Sequence, residues 1–113
     1  MAAEIRTGTF VGTGAAVNIE LGWVPDYVKV VNVTDGDEYW EWFAGMTAAH
    51  AIYTRSVTDN ATTGNAGISR ITANGISQRI PTDYASKQGF TAGTALSESG
   101  DTFAYIAVRN GDY

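Results

Sequence analysis

Residues 7–23 read TGTFVGTGAAVNIELGW, and how this stretch is read decides the fold. Gly8, Gly12 and Gly14 stand just ahead of an apolar run, as they do where a phosphate-cradling loop opens a helix. A dinucleotide fingerprint needs a third glycine where Val17 stands, and a P-loop needs a Lys followed by Ser or Thr, which is missing. The residues that follow alternate, with Val17, Ile19 and Leu21 on one side, the period of a strand. Gly12 and Gly14 therefore read as a turn between the first two strands.

The same punctuation continues outward. Thirteen glycines and clusters of Thr, Asn, Asp and Ser cut the chain into short apolar pieces. These are EIRTGTF, AAVNIEL, DYVKVVNV, EYWEWFA, AIYTRSV, GISRI, SQRI, GFTAGTAL and TFAYIAVR. They are rich in β-branched and aromatic residues and several alternate with period two, which predicts strands. In the last piece Ala104, Ile106 and Val108 share one face and Phe103, Tyr105 and Arg109 the other. In EYWEWFA, Trp40, Trp42 and Ala44 form an apolar face, and Tyr39, Glu41 and Phe43 lie opposite.

Turn chemistry agrees. Asp-Gly in TDGD (34–37) predicts a hairpin, as does Asn-Gly in ANGI (73–76), where the echo of GISRI and GISQRI suggests two arms of one hairpin. ESGD (98–101) supplies a turn before the final strand. Pro25 and Pro81 sit at the edges of patterned pieces, where they break no ladder. Residues 44–53 and 81–89 allow only a helical turn or two. Strands at roughly ten-residue spacing point to an all-β fold, a β-sandwich or a compact, jelly-roll-like barrel.

A chain of 113 residues fits one domain of the usual ~100–150 residues. The polar stretch TDNATTGNAG (58–67) reads as a loop, not a domain boundary. The apolar fraction is 44% and the aromatic fraction 12%, a globular and not a disordered composition. Having no cysteine, the chain has no disulfides, thiolate metal sites or Cys nucleophile. Its net charge is -5, with seven Lys and Arg spread thinly. This offers no cationic cluster for nucleic acid or an anionic membrane. No apolar run approaches the ~20 residues of a membrane helix. The opening MAAEIRTG lacks the basic and apolar regions of a signal peptide, so synthesis in the cytoplasm is expected.

Chemistry-bearing residues are sparse. His50 is the only histidine, too few imidazoles for an ordinary metal site, and no serine stands in a GxSxG elbow. DGDE (35–38) gathers three carboxylates but lacks the spacing and twelfth-position Glu of a calcium loop, so a solvated hairpin tip is expected. Two glycosylation sequons, NVT (32–34) and NAT (60–62), matter only in a secretory pathway. No catalytic residue, cofactor site or metal site is expected, and the chain is read as a non-enzyme. Three Trp, six Tyr and four Phe exceed what a small core needs. Trp40 and Trp42 are expected inside, whereas Trp23, Tyr39 and Phe43 are candidate exposed aromatics, the kind that mark interfaces or sugar-stacking platforms.

Two stretches, IELGWVPDYVKVVN and GFTAGTALSESGDTFAYIAVRN, within an order that runs from about Phe10 to Asn110, resemble small bacteriophage virion proteins, typically capsid decoration (cement) proteins. The resemblance lies in strand-and-turn patterns and not in a catalytic signature. It implies a structural protein on the capsid exterior that docks on the major capsid protein of an assembled head, commonly as a homotrimer. The candidate subunit or capsid contacts are Trp23, Tyr39 and Phe43, together with Met1, Ala2, Ala3, Glu4 and Ile5 as an extended N-terminal arm. The alternative is a receptor- or carbohydrate-binding module of a tail fibre, which would use the same surplus aromatics in a groove.

Overall fold

The computed structural model describes residues 3–56 and 67–110. All nine apolar pieces contain a strand: β1 Glu4–Val11, β2 Val17–Glu20, β3 Tyr27–Asn32, β4 Glu38–Phe43, β5 Ala51–Arg55, β6 Ile68–Ile71, β7 Ile76–Arg79, β8 Gly89–Ala92 and β9 Thr102–Arg109. The two stretches with weak helical signals give little helix. Residues 81–89 contain a single 3-10 turn, Ala85–Lys87, and residues 44–50 are turns that lead into β5. A second 3-10 turn, Thr94–Leu96, follows β8.

The strands form two antiparallel sheets, one of six strands in the order β1-β9-β3-β4-β5-β6 and one of three in the order β2-β8-β7. The fold is all-β, a sandwich of unequal sheets. Alternation along each strand sends one set of side chains into the space between them. Val28 and Val30 of β3, Trp40 and Trp42 of β4, and Phe103 and Ala107 of β9 meet Ile19, Ile76, Phe90 and Ala92 of the smaller sheet, and all of these are buried. Rings interlock here: Phe103 stacks on Phe10 at 5.3 Å between centroids, and Phe90 meets Tyr105 edge-on at 5.4 Å. Ala44 does not extend the apolar face of Trp40 and Trp42; β4 ends at Phe43 and Ala44 is exposed in the following turn.

The glycine stretch does the work of close packing. A Cβ on Gly12 would stand 2.1 Å from the Glu98 carbonyl oxygen, so the chain after β1 and the chain before β9 touch backbone to backbone. Gly12 N–H donates to Asp101 O at 2.9 Å, Gly100 N–H donates to Gly12 O at 3.1 Å, and Gly14 N–H donates to Ser97 O at 2.7 Å. Gly14 has φ of 79°, a conformation that glycine adopts without strain. These residues turn the chain from the large sheet into the small one.

Residues 73–76 do not join a hairpin. β6 pairs with β5 in the large sheet, and β7 pairs with β8 in the small one. The turn, with Asn74 at φ 60°, carries the chain across the sandwich. Its bonds go to other segments: Gly75 N–H donates to Ala49 O at 2.8 Å and Gly93 N–H donates to Gly75 O at 2.7 Å. A side chain at Gly75 would meet the His50 carbonyl oxygen at 2.6 Å. The signal for a tight turn was right, and its partners lie elsewhere. By contrast TDGD does link two paired strands, β3 and β4, with Gly36 at φ 73°.

Candidate functional site

Two features stand out, and the first is the outer face of the six-stranded sheet. Register places its side chains in three rows. One row runs Ile5, Val108, Tyr27, Phe43; the next runs Thr7, Ile106, Lys29, Glu41, Ile52, Arg70; the third runs Thr9, Ala104, Val31, Tyr39, Thr54, Ile68. An outward face of an antiparallel sheet is ordinarily polar. Here six of the sixteen positions are polar, Thr7, Thr9, Thr54, Lys29, Glu41 and Arg70, and the other ten carry aliphatic or aromatic side chains. Ile5 is 68% exposed, Ile68 65% and Phe43 48%.

Two of the three charges on this face, Lys29 and Glu41, are offset locally, and the third, Arg70, lies on the edge strand β6. Lys29 and Glu41 stand opposite each other in register. The Lys29 ammonium lies 4.3 Å from the centre of the Tyr39 ring, a favourable cation–π geometry. The Tyr27 hydroxyl donates to Glu41 Oε2 at 2.7 Å. Loss of hydration and then this carboxylate push the Tyr27 phenol well above its ordinary value. A shallow depression of about 200 Å³, lined by Lys29, Val31, Ala104, Tyr105 and Ile106, lies at the centre of the face.

The second feature lies where the segment after β8 meets the inner face of the large sheet. A cleft of about 280 Å³ is lined by Trp40, Tyr53, Phe103, Ile71 and Ala95, with Glu38 and Glu98. Trp40 and Tyr53 stack at 5.0 Å with their planes 14° apart. The Tyr53 hydroxyl donates to Glu38 Oε1 at 2.6 Å. Desolvation and this bond push the Tyr53 phenol up to about 12.

Beside the cleft the β3–β4 hairpin meets the loop before β9, and carboxylates collect around one buried amide. Asn32 Nδ2 donates to Asp101 Oδ2 at 3.0 Å and to Asp35 Oδ2 and Glu38 Oε2 at 3.3 Å, while its Oδ1 accepts from Thr34 N–H and Asp35 N–H at 3.0 Å. The donated bond from Asn32 and then one from Glu98 hold Asp101 below the usual aspartate range. Glu98 is raised by its hydrogen bond to Asp101 and then by that residue's charge. Loss of hydration and then Asp101's charge raise Asp35. Asp35, Glu98 and Asp101 offer carboxylate oxygens within 4.8 Å of one another, as do Asp35, Asp37 and Glu38. Oxygen donors at such separations are the type that suits a hard cation. His50 belongs to neither group.

The structure divides the expected contact residues. Tyr39 and Phe43 lie on the outer face, half-buried and exposed respectively. Trp23 does not: it is 4% exposed, because the loop between β2 and β3 folds inward and the Arg109 guanidinium covers the ring at 5.6 Å. Glu4 and Ile5 are not part of a free arm. They open β1, paired with Arg109 and Val108, and Arg109 Nη2 donates to Glu4 Oε1 at 2.8 Å. Ala3 is exposed ahead of the strand, and Met1 and Ala2 lie outside the described residues. The sequon Asn32 is fully buried; the other, Asn60, lies outside the described residues.

Sequence reasoning missed Glu98 and Asp101 as neighbours of Asp35, since they lie 63 and 66 positions away in the chain and only the fold joins them. It also missed the outer face, although the alternation of Ala104, Ile106 and Val108 was its signal. Comparison with protein-family models, curated proteins and solved structures finds no match to this chain. The functional reading therefore rests on the residues and their geometry.

Proposed function

We propose that this protein is a structural subunit of a phage particle, one that decorates and stabilises an assembled capsid through protein–protein contacts. The observation that supports this reading is the broad outer face of the large sheet, where ten of sixteen registered side chains are aliphatic or aromatic. Monomeric proteins rarely leave a contiguous apolar surface of this kind to water, and larger patches mark interaction sites. The face is flat and shallow, which suits another protein surface better than a small substrate. A subunit that binds only the assembled lattice stabilises that state by mass action, and linking copies adds avidity. The chain's net negative charge fits a position away from packaged DNA. Mixing purified protein with undecorated heads tests the reading. Co-sedimentation and a rise in the heat resistance of the heads are expected; absence of both overturns it.

One observation favours a second reading, a receptor- or carbohydrate-binding module. The cleft combines the partly exposed Tyr53 ring, backed by the buried Trp40, with carboxylates that accept hydroxyl hydrogen bonds, a combination suited to a sugar ring. A glycan-array screen separates the two: binding lost in Tyr53→Ala supports this reading, and no binding to any glycan removes it.

A further inference from the structure

We infer that the outer face of the six-stranded sheet is covered by the same face of a second copy of this chain, related by a two-fold axis. The inference rests on the reading above, since it names the occupant of the surface that carries that reading.

Three arguments select a second copy. The first is charge. The chain carries -5, so two copies repel wherever their carboxylates meet. On this face Lys29 and Glu41 stand opposite each other in register, and the acidic residues Asp35, Asp37, Glu98 and Asp101 belong to the loops at one end of the sandwich. The one further charge, Arg70, is exposed on the edge strand β6, so the centres of two such faces meet without like-charge cost, whereas a strongly charged partner finds little here to recognise.

The second argument is area. Six strands ~4.8 Å apart and about six residues long at ~3.3 Å each give a face on the order of 500 Å² in projection. Side-chain relief brings the accessible area into the range of roughly 600–1,000 Å² that each partner gives to a standard interface. The third is the longest of the remaining segments. Residues 57–66, VTDNATTGNA, contain one large aliphatic residue, Val57, so their composition is unsuited to covering an apolar sheet.

Two flat sheets stack about 10 Å apart with strand directions within ~30°, as in any sandwich. One flat, self-complementary patch closes on itself by a two-fold axis, while a three-fold ring needs two different patches on each subunit. The central depression at Ile106 and Val31 accepts side chains from the opposing copy. The inference thus departs from the trimer that the family resemblance implies.

Sedimentation equilibrium of the full chain tests it. Wild type is expected at twice its 12.0 kDa mass. Ile106→Lys, placed beside Lys29, is expected at 12.0 kDa with an unchanged far-ultraviolet spectrum. Should that variant fail to fold, Thr9→Lys changes an already exposed position on the same face and is expected to weaken dimerisation at least tenfold. A wild-type monomer at concentrations on the order of 100 µM, a trimeric mass, or a dimer that survives in a folded variant overturns the inference. A dimer that fails to bind heads overturns the capsid reading alone, and a monomer that binds them overturns this inference alone.

Discussion

Gly12→Ala probes the reason for the glycine cluster. The added methyl group would stand 2.1 Å from the Glu98 carbonyl oxygen and 2.6 Å from the Ser97 carbonyl carbon. Both are backbone atoms, so no side chain can swing aside. Relief requires the loop of residues 97–101 to retreat by more than 1 Å, to a contact of ~3.5 Å. That retreat stretches the bonds from Gly12 N–H to Asp101 O and from Gly100 N–H to Gly12 O, and the bond from Thr13 N–H to Ser97 Oγ. At about 1 kcal/mol each, losing two or three of them costs ~2–3 kcal/mol, which agrees with the ~1–3 kcal/mol typical of overpacking. In a domain of this size the thermal midpoint then falls by roughly 10–20 °C. Gly22→Ala serves as the control. Gly22 has φ of 85° with nothing within 4 Å of its added carbon, so only the ~1–2 kcal/mol of left-handed strain applies. Urea and thermal unfolding measure both. A Gly12→Ala variant within ~0.5 kcal/mol of wild type, the spread of an ordinary surface substitution, would refute the close-contact reasoning.

Three further outcomes follow from the electrostatics. Folding raises Glu98, so the penalty on its charged form acts in full above the folded value and vanishes below the ordinary glutamate range near 4.5. Glu98→Gln is accordingly expected to raise the thermal midpoint at pH 7 and to lose that advantage on acidification to pH 4; a variant less stable than wild type at pH 7 contradicts this. Tyr53 is pushed up from 10.0 to about 12, which stabilises the fold in full below pH 10 and is lost as pH rises through 12. Urea midpoints should hold to pH ~9.5 and fall beyond it, less so in Tyr53→Phe; equal slopes in both proteins count against the Glu38 bond. Asn32→Asp places a carboxylate at a fully buried position that already faces three others, and a cost of roughly 3–5 kcal/mol at neutral pH is expected. The loss should shrink at acidic pH, and a pH-independent loss would point to packing instead.

The strands were legible because their chemistry is local. Val28-Lys29-Val30-Val31 and Tyr39-Trp40-Glu41-Trp42 state a period of two within a few residues, and TDGD states the hairpin between them. How strands divide between sheets is not local. Asn74-Gly75 carries the same turn signal whether the chain doubles back or crosses the sandwich; the outcome depends on β5 pairing with β6 and on Gly93 and Ala49 bonding to Gly75. Trp23 was misplaced because a Trp before a proline in a loop looks exposed until Arg109, 86 positions later, covers it. The outer face was half legible. Both faces of β9 carry apolar residues, and only the packing of the small sheet against the side of Phe103 and Ala107 decides that the other lies open. Asn32 and Asp101 meet for a similar reason, across 69 positions.

Hydroxyl-radical footprinting of the assembled protein tests most directly whether the outer face is a contact surface. Phe43 is 48% exposed in the single chain and Tyr84, on the loop before β8, is 62% exposed, so both react readily when the chain stands alone. In the assembly Phe43 and its row neighbour Tyr27 should be protected, with Tyr84 unchanged as an internal reference. Phe43 remaining as reactive as Tyr84 in the assembled state would contradict the account.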